Sequence, residues 1–197
     1  MNFFSQLLLA VFGKNRLGKG ASFATPTGTQ TASGNVVNAE TALKLSVVWA
    51  CVRLRSQTIA SLPLHLYGKD KRLADNHPLY RIIHDSPNAD MTASEFWEAM
   101  VASLDLWGNA YAYIVKNAGQ VVSLEVLDPE AMKVTRAKDG AVTYHYRENN
   151  HTFDYSDDEI FHIKGFTIDG LVGLSPISYQ AQVMGQQVDA NLAANFE

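Results

Sequence analysis

The stretch "MTASEFWEAMVASLDLWGNAYAYIV", Met91 to Val115, changes its periodicity at a single glycine, and that change decides the fold. Ahead of Gly108 the apolar residues Phe96, Met100, Leu104 and Trp107 recur every three or four positions, the stripe of a helix laid on a core. Thr92 and Glu95 form a Thr-x-x-Glu capping box that starts this helix, and Gly108 stops it. Asn109 occupies the turn that Gly108 opens, and "NAYAYIV" then alternates as a strand does. A strongly capped helix followed at once by a strand predicts an α+β domain.

Downstream, five more β segments follow, "VVSLEVL", "MKVTRA", "AVTYHY", "HTFDY" and "IFHIKG", separated by Asn-Ala-Gly, Asp-Pro-Glu, Lys-Asp-Gly and Glu-Asn-Asn turns. In "DGLVGLSPISYQAQVMGQQVDANLAANFE" Ser175 reads as a cap and Pro176 as the first helical residue. Ile177, Ala181, Met184, Val188 and Leu192 continue a stripe to the chain end, predicting a C-terminal helix about 33 Å long. Helical patterning still present at the last residue carries the expectation that the natural polypeptide continues.

Upstream, "AETALKLSVVWACVRLRSQTIASLP" predicts a helix with the stripe Val48, Val52, Ile59 and Leu62, flanked by Leu45 and Trp49 and ended by Pro63. "LPLHLY" alternates Leu62, Leu64 and Leu66 with Pro63, His65 and Tyr67, which predicts a strand with one buried face turned by "GKDKR". "DNHPLYRIIHDSPN" predicts a short helix with Pro78 in its first turn. The fold expected is therefore α+β, with N-terminal helices packed on an antiparallel β region and a long C-terminal helix after it.

The N-terminal end is of another kind. "FFSQLLLAVF", Phe3 to Phe12, has no positive residue before it and is too short to span a bilayer, so its apolar residues are expected to pack on the domain or on a neighbouring subunit. "GKGASFATPTGTQTASGN" is rich in Gly, Ser and Thr without periodicity, so residues 1–35 read as a flexible arm and 36–197 as the folded domain. Within the arm, "GKNRLGKG" places Gly13, Gly18 and Lys19 as a phosphate loop would, but Gly20 supplies no hydroxyl for magnesium and no helix pattern follows. It reads as a basic, glycine-containing arm.

Composition bounds the function. The 197 residues, 47% apolar and 18% charged, can bury a real core, and a formal charge of −4 opposes a tight grip on nucleic-acid backbones. The single cysteine, Cys51, forms no intrachain disulfide, so nothing points to an oxidising compartment.

His84, Asp85 and Asp90 around "HDSPNAD" invite a catalytic or metal reading, but neighbours in sequence do not make a triad and a helix exit accounts for them. His145, His151 and His162 lie in or beside strands at spacings that match no compact zinc signature. "SDDE", Ser156 to Glu159, lacks the oxygen pattern of a calcium loop and reads as the cap of a single helical turn before Ile160. Trp49, Trp97 and Trp107 with Tyr111 and Tyr113 suggest core and interface packing before a stacking platform. Two other classes stay open on these residues: a small metal-dependent hydrolase using His84 or His162, and a carbohydrate- or peptide-binding β module using the tyrosines.

Taken together, "VVWACVRLRSQTIASLPLHLY", "HPLYRIIHDSPNADMTASEFWEAMVASLDLWGNAYAYIV", "VLDPEAMKV", "DDEIFHIKGF" and "DGLVGLSPI" closely resemble, in order and spacing, the portal proteins of tailed bacteriophages of the Hong Kong 97 type. The resemblance runs from about Val36 to the end and includes Pro87 to Thr92 and Gly108 to Tyr111. It implies a non-enzymatic subunit, without cofactor, of a ring of usually twelve copies at one capsid vertex. DNA enters and leaves through that ring, and ATP hydrolysis falls to a separate terminase. The implied partners are further copies of the chain, the major capsid protein, and double-stranded DNA passing without sequence specificity. Terminase and head-tail adaptor would bind through stem and clip parts that follow the last helix, and no membrane is involved. The implied place is the portal vertex of the virion, after synthesis in the bacterial cytoplasm. This chain corresponds to the outer, wing-like part and is expected to be a monomer or loose oligomer by itself. Thr92, Glu95, Gly108, Asn109, Ser175 and Pro176 are the positions expected to be critical to the fold.

Overall fold

In the computed structural model, the structure describes residues 29–30 and 36–180. Helix α4 (Ala93–Trp107) organises it, because eight of its fifteen residues are buried and they face two ways. Ala102 and Leu106 join a cluster with Ala39, Ala42 and Val52 from the preceding helices α1 (Ala39–Leu43) and α2 (Ser46–Ala60). Phe96 and Met100, on the other side, meet Ile82 of α3 (Pro78–His84) and a β-sheet. A helix apolar on both sides belongs between layers rather than on a surface.

The sheet against α4 has the order β4-β3-β8, from β3 (Asn109–Asn117), β4 (Gln120–Leu127) and β8 (Ile160–Lys164), and is antiparallel throughout. A second antiparallel sheet follows, β5-β6-β7, from β5 (Met132–Arg136), β6 (Val142–Glu148) and β7 (His151–Ser156). Strand β3 is shared between both cores. Ala110 and Ala112 pack toward Phe96 and Met100, while Tyr111 and Tyr113 pack with Tyr144, Tyr146, Leu127 and Ile160 of the second core. Two-residue alternation of small and large side chains thus sets a close helix contact on one face and a wide aromatic layer on the other. The β3-β4 connection has Ala118 and Gly119 at positive φ, and the β6-β7 connection has Asn149 and Asn150, the backbone a tight right-twisting hairpin needs.

The six β segments read after Gly108 are strands, and α3 and α4 lie where periodicity put them. The helix read over residues 39–63 is instead two, because Leu45 takes an extended conformation between α1 and α2. Helix α3 has Pro78 in its first turn, and its N-terminal amide at Leu79 donates to His77 Nδ1 at 3.2 Å. Three further details differ. Residues 62–66 form no strand, Leu62 and Leu64 are exposed, and a lone bridge pairs Tyr67 with Leu73. Alternation alone does not bury a strand that has nothing to pair with. On α2 the buried positions are Val52, Ser56 and Ala60, four residues apart, whereas Ile59 is exposed. Small residues bring α2 close to α4, and that contact, not side-chain size, chose the face. Ser156 to Glu159 forms a turn closed by the Glu159 amide on the Ser156 carbonyl at 3.1 Å, with no helical residue. Glu159 Oε2 accepts from the Ser156 amide and hydroxyl, so the capping chemistry is present on a turn.

Within the stretch read as an arm, β1 (Thr29–Gln30) pairs antiparallel with β2 (Val36–Val37). Two-residue strands have no period to read. The last described helix, α5, starts at 176 and is described through 180. Its continuation through Leu192, the apolar segment Phe3 to Phe12 and the "GKNRLGKG" stretch lie outside the described residues.

Candidate functional site

Three segments of chain meet where α4 ends. Gly108 takes the left-handed conformation, φ 71°, so that its amide still closes the helix on the Leu104 carbonyl while the chain reverses into β3. A Cβ there would land on the Leu174 carbonyl, and one on Gly173 would land on the carbonyl of Gly108 itself. The Gly165 amide, at the end of β8, donates to that same Gly108 carbonyl at 2.8 Å. Backbone therefore touches backbone at a point no side chain can enter.

Asn109, 8% exposed, fastens the point from one side. Its Nδ2 donates to the carbonyls of Trp107 at 3.1 Å and Gly173 at 2.8 Å. Its Oδ1 accepts from the Gly173 amide at 2.6 Å and from His162 Nε2 at 3.1 Å. Both donors and both acceptor positions of the amide are thus in use, 64 residues across the sequence from Gly173. An amide that meets both the N–H and the C=O of one residue imitates a strand edge.

His162 reaches Asn109 because β8 places it directly opposite Tyr111, whose ring it stacks on at 4.3 Å between centroids. Since Asn109 Oδ1 only accepts, the ring proton is assigned to Nε2, leaving Nδ1 facing the Tyr144 hydroxyl at 3.3 Å. That hydroxyl also lies 3.3 Å from Asp157 Oδ1. Burial, aided by the charge of Lys164 and opposed by Asp157, lowers the His162 pKa to about 4, so the ring is neutral near pH 7. Burial and the nearby Asp157 carboxylate push the Tyr144 hydroxyl up to about 12, and burial raises Tyr111 as well. None of these three groups is poised near neutral pH, where an acid-base catalyst works best. The arrangement is suited to holding segments in place.

Ser175 fastens the other side. Its hydroxyl donates to the Leu106 carbonyl of α4 at 3.1 Å and accepts from the Ser178 amide at 3.3 Å, which makes it the cap of α5. Pro176 takes the first helical position, where a missing N–H removes nothing. Ile177 enters the cluster of Ala42, Val52 and Leu106. Helix α5 consequently starts directly from the C-terminal end of α4, and the joint formed by Gly108, Asn109, Gly173 and Ser175 is the candidate site.

The sequence-derived positions divide between the two ends of α4. Gly108, Asn109, Ser175 and Pro176 come together at its C-terminus. Thr92 and Glu95 lie at its N-terminus, about 22 Å away along a fifteen-residue helix. There the Thr92 amide donates to Glu95 Oε2 at 2.9 Å and the Glu95 amide to Thr92 Oγ1 at 3.3 Å, a reciprocal box. Gly165, Gly173 and the linkage of His162 to Asn109 were not read as part of a site. The only sequence signal for them is the glycine pair in "DGLVG" and the glycine after β8.

The remaining residues that invited chemistry are engaged in packing. His84 Nδ1 lies 2.9 Å from the Leu64 carbonyl, and its ring stacks on those of His65 and Tyr80. The Asp85 carbonyl accepts from the Ala93 amide, joining α3 to α4, while Asp90 donates its amide to Asn88 Oδ1 in the turn. His145 meets Asp154 Oδ1 at 2.6 Å and Thr135 Oγ1 at 2.9 Å across the second sheet, and His151 lies exposed on β7. The indole of Trp97 donates to the Ile83 carbonyl and that of Trp107 to Glu130, and Trp49 packs against the first core. Among the described residues no three His, Cys, Asp or Glu side chains gather as a metal site, and no helix is long and apolar enough to cross a membrane.

Comparison with known proteins points in one direction. A family model described as phage portal protein matches residues 46–195. The portal protein of Enterobacteria phage HK97 is 42% identical over 158 residues, covering 77% of this chain and 37% of the phage protein. A chain from the neck of an empty gene transfer agent (GTA) particle, computed with C6 symmetry, superposes with a TM-score of 0.73 at 25% identity, over 91% of this chain and 49% of that one. A second, from the neck of a native GTA particle computed with C12 symmetry, gives 0.66 at 25% identity over 79% and 42%. The chain spans less than half the length of each of these relatives.

Proposed function

Because the chain belongs to the phage portal protein family, we propose that it is a structural subunit of a portal ring at one vertex of a phage head, part of the conduit for DNA packaging and ejection and of the head-tail junction. Residues 36–197 supply the outer, wing-like portion and residues 1–35 an arm ahead of it. The observation that carries this reading is the likeness of 91% of the chain to a protein in a sixfold neck and of 79% of it to one in a twelvefold neck. Its role is mechanical and not enzymatic.

The joint gives that role physical content. A ring subunit must pass force between the layers that meet its neighbours and the helix that leads to the rest of the protein. Here α5 is tied to α4 by the Ser175 hydroxyl and to β3 by the Asn109 amide. The partners in this reading are neighbouring copies and the major capsid protein. Terminase and head-tail adaptor bind through parts of the full protein beyond this chain. Double-stranded DNA passes without sequence readout, and the charge of −4 fits a conduit along which DNA slides, since each basic residue neutralising a phosphate would strengthen attachment. The subunit is made in the host cytoplasm and ends in the virion. By itself the chain, which matches less than half the length of these relatives, is a monomer or loose oligomer.

Immunogold labelling of heads from the parent phage, with antibodies raised against this chain, tests the reading. The expected result is label at one vertex per particle. Label spread over the shell, or confined to the tail tip, overturns it. Light scattering of the 197-residue chain is expected to give no stable dodecamer.

A further inference from the structure

Helix α2 has two apolar faces, and only one is covered. Val52, Ser56 and Ala60 are buried against α4. Val47, Cys51 and Leu54, spaced four and three residues apart, lie on another face with Leu62 just beyond the helix end, and all four are exposed. Val47 is 65% exposed, Leu54 69% and Leu62 66%. The hydroxyls along this face are satisfied within the helix, Thr58 on the Leu54 carbonyl at 2.6 Å and Ser61 on the Thr58 carbonyl at 2.7 Å. The face therefore behaves as an apolar stripe about 22 Å long from Val47 to Leu62. A stripe of this kind signals an unfilled contact.

The same chain contains a segment of matching chemistry and length. From Phe3 to Phe12 every residue but Ser5 and Gln6 is apolar and none is charged. Ten residues extend about 15 Å as a helix or about 33 Å as a strand, which brackets the stripe. The arm enters the described structure beside the helical layer, since Thr29 pairs with Val37, two residues ahead of α1. Residues 13–28, sixteen residues with four glycines, connect the two, and a glycine-rich linker of that length has a root-mean-square reach of about 22 Å. A tether of that length holds the segment at an effective concentration in the millimolar range, far above any second copy at ordinary protein concentrations.

We propose that Phe3–Phe12 docks on the outer face of α2 in its own chain, covering Val47, Cys51, Leu54 and Leu62. The docked segment closes the helical layer from outside, as the sheet closes α4 from within. This goes beyond the portal reading and stands whether or not the chain enters a ring.

Cys51 is the chain's single cysteine and lies in the middle of the stripe, so its reaction with a small uncharged maleimide reports cover at that point. The rate constant is measured for the 197-residue chain, for a chain lacking residues 2–12, and for the full-length double variant Leu7→Asp/Leu8→Asp, each referred to its own rate in urea. The expected result is that both altered chains react about tenfold faster or more than the parent, at a rate independent of protein concentration. Equal rates in all three overturn the proposal. Protection that survives in both altered chains and grows with protein concentration assigns the face to a second copy, and overturns it too.

Discussion

The side-chain amide of Asn109 and the peptide unit of Gly173 face each other as two strand residues would, N–H to C=O in both directions, at 2.8 and 2.6 Å. Replacing Asn109 with Ala leaves a buried amide and a buried carbonyl of Gly173 without partners. The expected loss is roughly 2–4 kcal/mol, read as a fall in the urea midpoint at constant m. Asn109→Asp keeps the acceptor but loses both donated bonds, so it is expected to fall between the Ala variant and the parent at low pH and to be worse near pH 7.

Glycine substitutions separate conformation from crowding. Gly108 and Gly140 both have positive φ, 71° and 91°, but a Cβ on Gly108 strikes the Leu174 carbonyl while one on Gly140 meets open space. Gly140→Ala is expected to cost roughly 1–2 kcal/mol, the strain of a left-handed alanine. Gly108→Ala adds backbone displacement, and its soluble yield and melting temperature are expected to collapse. Equal losses at the two positions would show that crowding at the joint is unimportant.

At the other end of α4, Thr92→Ala removes the reciprocal box with Glu95 and exposes first-turn amides. Thermal or urea unfolding is expected to show a loss of about 1 kcal/mol, with Thr92→Ser restoring most of it.

Glu98 lies on α4 with its Oε1 lacking a partner, and burial, only partly offset by Gln57 and Arg53, raises its pKa above the ordinary 4.5. A carboxyl with a raised folded pKa binds its proton more tightly in the native state, so its ionisation opposes folding as pH rises past 4.5. Glu98→Gln is therefore expected to be more stable than the parent near pH 7, and the advantage should shrink on acidification toward pH 4.5. An advantage independent of pH would show that charge is not its source.

His162 has the opposite sign. Its folded pKa, about 4, is below the ordinary 6.5, so the unfolded chain takes up the proton first as pH falls. The stability that the neutral ring contributes is complete above 6.5 and is lost as pH drops toward 4. In His162→Gln the slope of unfolding free energy over that interval is expected to flatten, measured by urea titration at successive pH values.

Much of the fold was legible because its signals are local. Thr92 to Glu95 spans one helical turn, Gly108 stops a helix by its own conformational freedom, and the strands alternate within themselves. What stayed hidden depends on partners distant in sequence. Leu62, Leu64 and Leu66 alternate as a buried strand does, yet among the described residues no strand pairs with them. On α2 two stripes compete, and the one containing Ser56 is buried because it lets two helices approach. Asn109 was readable as a turn residue, but its Gly173 partner is 64 positions away, and no spacing rule connects them.

Strand β3 carries alanines toward α4 and tyrosines toward the second sheet. A slip of one residue against β4 or β8 would drive Tyr111 and Tyr113 into the space sized for Ala110 and Ala112 and leave the aromatic layer hollow. Bulk alone thereby disfavours the slipped register. If copies of the chain stand around an axis as proposed, an error in any one would propagate to its neighbours, and this strand would then act as a gauge that each copy must satisfy before it is joined to the next.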